Sequence, residues 1–170
     1  MKSFYEYYLM RENVTNIEDV AANLQFLPTT KKKKNYNYVA TDENMPPFSY
    51  TVAQESKPIV TVTADGKETT NTAGVDDIIM SGPSREQYVV KAAKFPKLYA
   101  GNMGGPVYPE QSPRMVALYT GNEPVMFKAS WGEDMVLKPQ DYLVKEAEGK
   151  FYRIAKHEYE QTYNQPGQQG

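Results

Sequence analysis

The feature that most constrains this chain is a long-range match of the sequence to itself. A shift of the chain along itself that matches Asp77 with Asp141 also matches Tyr88 with Tyr152 and Tyr99 with Tyr163, without a gap. We call this match the downstream alignment. A slightly longer shift, the upstream alignment, matches Pro47 with Pro113, Pro58 with Pro124 and Gly66 with Gly132. We interpret the match as an internal duplication with a two-residue deletion in a loop. The alternative is that strand-turn-strand patterning simply recurs.

Apolar alternation gives the expected fold class. Asp141 to Tyr163 reads as an alternating run, a Glu-Gly turn, a second alternating run and a short helical tail. Each copy of about 50 residues is near the size at which a single core is marginal. We therefore expect a mainly β chain with minor α, in which two tandem small β-barrels or half-barrels pack together behind short N-terminal helices.

The same patterns predict the domain boundaries. Met1 to Leu27 is predicted to form two short helices, broken around Asn13 to Asn16. Thr15 and Asn16 offer capping oxygens, and Glu18 and Asp19 are suited to the first turn of the second helix. A Gly/Pro-rich stretch separates the copies, and a Gln/Gly-rich stretch ends the sequence. The predicted divisions are 1–35, an N-terminal helical segment and basic loop; 36–100, the first β repeat; 101–112, the linker; 113–163, the second β repeat; and 164–170, a disordered tail.

Composition argues against several functional classes. The 170 residues include no cysteine and one histidine, and the net charge is -2. Thiolate chemistry is therefore excluded, and neither a metal site nor a serine triad has the residues it needs. The sequence shows no signal peptide and no apolar run near the ~18 residues of a membrane span. We expect no cofactor, no membrane association, no enzymatic activity, and a cytoplasmic or virion location.

The duplicated aspartates, Asp77 and Asp141, allow two interpretations. Each precedes a predicted strand, where a carboxylate can accept hydrogen bonds from the free N–H groups of the turn. Paired carboxylates in one cleft can instead act as general acid and base. We favour the structural role, because a duplicated acid more often marks a duplicated turn.

One segment combines cations with aromatic rings, as single-stranded nucleic-acid binders do. Its candidate contacts are Lys31, Lys32, Lys33, Lys34, Tyr36 and Tyr38. A solvated loop is the alternative. Elsewhere, Trp131 beside Gly132 is either a platform for a ligand or partner, or a plug in the core of the second copy.

The second copy resembles a short module of small phage and prophage proteins of unknown function, which reads Pro-Gly-Asp-Tyr/Trp-Ile-Val, then Gly-Glu-x-Tyr, then Phe-x-x-Thr-Tyr. This sequence departs from the module at Gln140, where the module has glycine. The resemblance implies a phage-like origin and a small β unit. The matching residues are Pro139, Asp141, Tyr142, Leu143, Val144, Gly149, Tyr152, Tyr159, Thr162 and Tyr163.

These observations favour a non-enzymatic structural or interaction protein, such as a virion component or a decoration or assembly factor, with a protein partner or self-assembly. One alternative is a small protein that binds nucleic acid or a host factor through Lys31 to Tyr38. A second is a small-ligand-binding protein with a cleft between the repeats.

Overall fold

Strands account for most of the secondary structure, as expected. In the computed structural model, which describes residues 16–62, 66 and 68–170, the chain divides into two units. The central unit is Lys33–Glu110, and the flanking unit combines residues 16–32 with Gln111–Gly170. The elements are α1 (Ile17–Ala21), β1 (Leu27–Thr29), β2 (Asn37–Tyr38), β3 (Ser49–Val52), β4 (Lys57–Val62), β5 (Glu68–Ala73), β6 (Ile78–Ser81), β7 (Gln87–Val90), α2 (Phe95–Leu98), β8 (Tyr99–Gly101), β9 (Val107–Pro109), β10 (Arg114–Leu118), β11 (Val125–Lys128), β12 (Asp134–Leu137), β13 (Tyr142–Ala147), β14 (Lys150–Ile154) and α3 (Lys156–Thr162).

Each unit has one four-stranded sheet and separate two-stranded pieces. The central sheet has the order β2-β3-β6-β7, with β2 parallel to β3, and the hairpins β4–β5 and β8–β9 accompany it. The flanking sheet has the order β1-β10-β13-β14, accompanied by the hairpin β11–β12. Among the described residues no sheet closes into a barrel, so the expectation of closed barrels is wrong. The hairpins pack beside the sheets instead of completing them.

Strand β6 of the central unit and strand β13 of the flanking unit are each buried on both faces. Ile78 and Met80 of β6 belong to one hydrophobic cluster, whereas Ile79 between them belongs to another. In β13, Val144 and Leu143 likewise point into different clusters. This follows from the two-residue period of a strand, which sends neighbouring side chains to opposite faces. These strands therefore read as continuous apolar runs.

Strand pairing has the same register in both units. In the central unit Val52 pairs with Ile78, and in the flanking unit Leu118 pairs with Tyr142. These pairs correspond, because Val52 matches Leu118 in the upstream alignment and Ile78 matches Tyr142 in the downstream alignment. The units differ at the adjoining strand, because β2 is parallel to β3 whereas β1 is antiparallel to β10.

The N-terminal region is divided, in contrast to the predicted segment 1–35. The side chain of Asn16 accepts a hydrogen bond from the Glu18 N–H at 2.9 Å and so caps α1, as the sequence indicated. Ala21 of α1 packs into the core of the flanking unit, and β1 begins at Leu27, which the sequence had suggested was helical. The first predicted helix lies in residues 1–15, outside the described residues.

The predicted linker is structured. Residues 99–109 form the hairpin β8–β9, and the buried Val107 pairs with Tyr36 of the same unit. The hairpin requires glycine at position 101: Gly101 has φ 113°, and a side chain there would meet the backbone of Pro106. The prediction of a linker over 101–112 is therefore wrong for this part, because glycines that suit a linker also suit a tight hairpin.

The predicted disordered tail is also held in place. The Gly167 N–H donates to Thr29 Oγ1 at 3.0 Å, and the Gly170 N–H donates to Thr30 Oγ1 at 2.7 Å. Both threonines are buried. The tail thus donates hydrogen bonds to two buried hydroxyl groups, which its polar composition did not reveal. Within the part of the chain that is described, no helix has the length and apolar character needed to span a membrane.

The backbone at Gln140 generates a stability prediction. Gln140 has φ 71°, a left-handed conformation that costs a residue with a side chain about 1–2 kcal/mol. Because glycine avoids this strain but loses more entropy on folding, we expect Gln140→Gly to raise the free energy of unfolding by about 0.5–1 kcal/mol. Urea unfolding measures the change. The control is Gln140→Ala, which removes the Lys156–Gln140 side-chain hydrogen bond without relieving the backbone, and should not stabilise. Equal stabilisation by both variants would contradict the explanation.

Candidate functional site

The Asp141 carboxylate ties together three parts of the flanking unit. It accepts from the Lys138 N–H at 2.9 Å, the Lys156 N–H at 3.2 Å and Arg153 Nε at 2.8 Å. Asp141 is only 5% exposed. The turn before β13, the strand β14 and the start of α3 therefore meet at one buried charge, whose hydrogen bonds and ion pair compensate its desolvation.

Asp77 makes an equivalent set of contacts in the central unit. It accepts from the Gly74 N–H at 2.8 Å, the Ala92 N–H at 2.9 Å and Lys91 Nζ at 3.0 Å. In the downstream alignment the two backbone donors, Gly74 and Ala92, match Lys138 and Lys156. The Ala92 N–H, with smaller effects from Gly74 and Lys91, holds the pKa of the Asp77 carboxyl below its usual value against the opposing effect of burial.

This geometry favours the structural interpretation of both aspartates. Each carboxylate is buried inside its own unit, and its oxygens accept hydrogen bonds from three different residues. A general acid or base must instead present an oxygen to a reacting group within hydrogen-bond distance. Asp77 and Asp141 therefore join separate segments of their own units through these hydrogen bonds.

The signature tyrosines are those that match in the downstream alignment, Tyr88 and Tyr99 in the central unit and Tyr152 and Tyr163 in the flanking unit. Those of the central unit belong to one aromatic cluster. The hydroxyls of Tyr88 and Tyr99 are 3.0 Å apart, and the ring of Tyr99 stacks on Phe95 at a centroid distance of 5.1 Å. Tyr36 meets Tyr99 edge to face at 5.7 Å. Burial is the main cause that raises the pKa of Tyr99 to about 12, so its hydroxyl stays protonated at neutral pH.

The tyrosines of the flanking unit stack more regularly. The ring of Tyr159 in α3 stacks on the ring of Tyr142 at a centroid distance of 3.6 Å and on that of Tyr163 at 5.1 Å. Tyr152 lies beside this stack and hydrogen bonds to Tyr163. In both units the signature tyrosines thus join a strand face to a helical turn.

The lysines of the basic segment are divided between the two units. Lys31 and Lys32 belong to the flanking unit, where Lys31 Nζ is 5.9 Å from the Tyr163 ring centroid and Lys32 Nζ donates to the Glu160 carbonyl. In the central unit, Lys33 Nζ lies 4.6 Å from the Tyr108 ring centroid and Lys34 Nζ lies 5.3 Å from that of Phe48. Within their units, therefore, these ammonium groups already contact protein groups.

Of the two tyrosines in this segment, only Tyr38 is exposed. Tyr36 is 8% exposed and belongs to the central aromatic cluster, whereas Tyr38 is 41% exposed. The prediction that Tyr36 is a stacking contact for a ligand is therefore wrong, because the residue pairs with Val107 and is part of the core. Its position in an alternating run was the signal for burial.

Trp131 lies on the exposed turn between β11 and β12. It is 59% exposed, so the alternative that it plugs the core is wrong. Its Nε1 donates to Glu133 Oε2 at 3.1 Å, and its ring centroid is 5.8 Å from that of Tyr152, with the planes inclined by 47°. The two rings belong to an open groove of about 570 Å³. The groove is lined by Pro113, Arg114, Met115, Trp131, Val144, Lys145, Glu146 and Tyr152.

Charges of both signs surround this groove. Glu146 Oε1 accepts from Ser130 Oγ at 2.8 Å, and Lys145 Nζ pairs with the exposed Glu148 at 3.2 Å. Burial chiefly raises the pKa of Tyr152 to about 12, and Arg114 and Glu146 act on it in opposite directions. The sequence analysis missed Arg114, Lys145 and Glu146. Their only signal was the change from apolar to charged residues at the ends of β10 and β13.

A second open groove lies in the central unit. It has a volume of about 470 Å³, and Asp42 and Lys57, two of its lining residues, form an ion pair. It has no aromatic lining residue. His157 lies elsewhere and is exposed, and in the part of the chain that is described no three acidic or histidine side chains converge as metal ligands. The Trp131 groove is therefore the stronger candidate site.

Comparison with known protein families, with curated proteins and with solved structures finds no match to this chain.

The environment of Asp77 predicts a pH-dependent contribution to stability. At neutral pH we expect Asp77→Asn to lower the free energy of unfolding by about 2 kcal/mol, because charge-assisted hydrogen bonds to buried groups are lost. The folded pKa is depressed, so the wild-type advantage is complete above the unfolded value of 3.8 and is lost as the pH falls through the folded pKa. Urea unfolding between neutral pH and strong acid, followed by circular dichroism, measures this.

The matched control is Asp76→Asn. Asp76 is the exposed neighbour of Asp77, and asparagine tolerates its left-handed backbone, so the same charge change should cost less than about 0.5 kcal/mol. If the difference in the free energy of unfolding between wild type and Asp77→Asn stays constant into strong acid, the depressed pKa of Asp77 is contradicted.

Proposed function

We propose that this protein is a non-enzymatic assembly protein built from two diverged copies of one β unit, and that it associates with a second copy of itself along strand β5. In this proposal it is a virion component or an assembly factor of a phage-like particle. The observation that carries the proposal is the exposed edge of the β4–β5 hairpin.

The matched internal geometry of the units supports the duplication. The backbone N–H groups that bind Asp77 belong to residues 74 and 92, and those that bind Asp141 belong to residues 138 and 156. The residue before each aspartate is left-handed, with φ 74° at Asp76 and 71° at Gln140. Recurrence of strand patterning alone would not reproduce all these features in one gapless alignment.

Strand β5 has the properties of an edge available for pairing. In the described chain its only paired strand is β4, and it is exposed from Glu68 through Thr72. Residues 69–72, Thr-Thr-Asn-Thr, carry no charge and no proline. Soluble proteins usually protect such edges with lysine, proline or a bulge, because the unpaired backbone groups can join another strand. The edge of β5 is thus suited to strand addition.

The contacts of Thr72 show which residues face this edge. Lys91 Nζ donates to the Thr72 carbonyl at 2.8 Å, so that carbonyl points away from β4. Pro58 lies opposite Thr72 and has no N–H to donate to it, which agrees with this direction. Since backbone groups alternate along an antiparallel pair, Thr70 and Glu68 face the same open edge.

Charge complementarity favours a second copy as the occupant. In an antiparallel pairing of two β5 strands centred on Thr70, Glu68 of one copy lies opposite Thr72 of the other. It is then close to Lys91 of that copy, whose side chain is 56% exposed. The twofold symmetry of such a pair repeats the contact, so two opposite-charge pairs set the register.

Exposed valines on β4 add apolar area to the same hairpin. Val60 is 52% exposed and Val62 is 46% exposed, and residues two apart share a face of a strand. Pairing along β5 would continue this face into the hairpin of the second copy. Together with the resemblance of residues 139–163 to the phage module, these features support the assembly role.

The proposal predicts a dimer that weakens when the β5 edge is changed. We expect reversible dimerisation in light scattering after size exclusion as the concentration rises toward millimolar. Glu68→Lys should weaken the dimer by placing like charges together, and Thr70→Pro should weaken it by removing an outward N–H without breaking the β4–β5 ladder.

The matched control is Glu55→Lys, which makes the same charge change at another exposed position of the central unit. It should leave the dimer intact. A wild-type chain that stays monomeric at the highest concentration would overturn the proposal, as would equal weakening by Glu55→Lys and Glu68→Lys.

A further inference from the structure

We propose that the groove beside Trp131 in the flanking unit binds a neutral sugar ring. The aromatic pair, Trp131 and Tyr152, supplies the wall for the C–H face of the ring, and the charged side chains at the rim bind its hydroxyl groups. This site is independent of the association along β5, which belongs to the central unit.

The turn holds Trp131 in its exposed position. Gly132 has φ 92°, which suits glycine, and its N–H closes the turn by donating to the Ala129 carbonyl at 2.9 Å. The Ala129 N–H in turn bonds the Glu133 carbonyl at 2.8 Å. The indole N–H of Trp131 donates to the Glu133 side chain, so this N–H does not serve as a donor to the ligand. What remains open is the apolar ring.

Tyr152 provides the second aromatic surface. Its ring is inclined to that of Trp131 by 47° at a centroid distance of 5.8 Å, so the pair forms an angled wall instead of a closed stack. The groove volume of about 570 Å³ lies within the ~300–1,000 Å³ range of small-molecule sites. The wall and the groove are therefore large enough for one or two sugar rings.

The rim has the mixed polarity that hydroxyl groups require. A sugar hydroxyl both donates and accepts, and the lining offers donors from Arg114 and Lys145 and an acceptor from Glu146. The carboxylates of Glu146 and Glu133 flank the aromatic wall, so they oppose binding of a phosphate chain. The charges thus favour a neutral polar ligand over nucleic acid.

The central unit has an aromatic residue at the position that matches Arg114. In the upstream alignment Arg114 matches Phe48, which packs edge to face on Tyr36 at 5.5 Å and contacts the aromatic cluster that includes Tyr88. Tyr88 is the residue that matches Tyr152 in the downstream alignment. An aromatic residue that packs against the core of the central unit is thus matched by a charged residue that lines the groove in the flanking unit.

The single tryptophan of the chain makes a direct test possible. Trp131 fluorescence is titrated with neutral monosaccharides and oligosaccharides of glucose, galactose and N-acetylglucosamine. Parallel titrations use nucleoside monophosphates and a proline-rich peptide. We expect a saturable change with one neutral saccharide class and none with the other two probes. Saturation only by a nucleotide or by the peptide would overturn the proposal, and so would no response to any saccharide.

Two exposed positions provide the variants. By calorimetry, Trp131→Ala and Glu146→Gln should each weaken binding of the identified saccharide at least about tenfold, the loss expected for about 1.4 kcal/mol. Glu160→Gln is the matched control, because it makes the same change on an exposed side chain of α3 that does not line the groove, and it should bind normally. Unchanged affinity in both groove variants, or equal loss in the Glu160→Gln control, would place the saccharide elsewhere and overturn the assignment.

Discussion

The buried carboxylate at the entrance of a doubly buried strand is the interaction on which each unit depends. Asp141 binds backbone N–H groups on the turn before β13 and at the start of α3, and Asp77 does the same around β6. At the start of a strand that is covered on both faces, backbone N–H groups cannot bond to water, so they need hydrogen-bond partners within the protein. A carboxylate serves because it accepts several donors at once.

Alternation along that strand then determines what must cover it. In the flanking unit Leu143 faces the cluster that contains α1 and β11–β12, whereas Val144 faces the tyrosine stack of α3. A shift of one residue would exchange the two faces and bury the wrong side chains. The aspartate fixes the start of the strand and thereby its register, so the hydrogen bonds and the two clusters support the same arrangement.

The features that the sequence made predictable are the ones that depend on local period. The runs around Ile79 and Leu143, the cap at Asn16 and the role of the aspartates at strand entrances all follow from residue type and spacing. The hairpin formed by residues 99–109 and the bonds from Gly167 and Gly170 depend on distant partners, so composition suggested a linker and a loose tail instead. The site was seen only in part, because Trp131 is conspicuous while its rim residues lie on other strands.

Under the proposed duplication, the two units are one scaffold that carries different surfaces. Among the positions that agree in the two alignments, the aspartates are buried in both units. Positions that differ include Phe48 against Arg114 and Ser81 against Lys145, and the groove of the flanking unit is lined by Arg114 and Lys145. On this proposal, the differing positions are the ones at which the two copies could acquire separate binding roles. An exposed edge in the central unit and an aromatic groove in the flanking unit are then compatible with one kind of β unit.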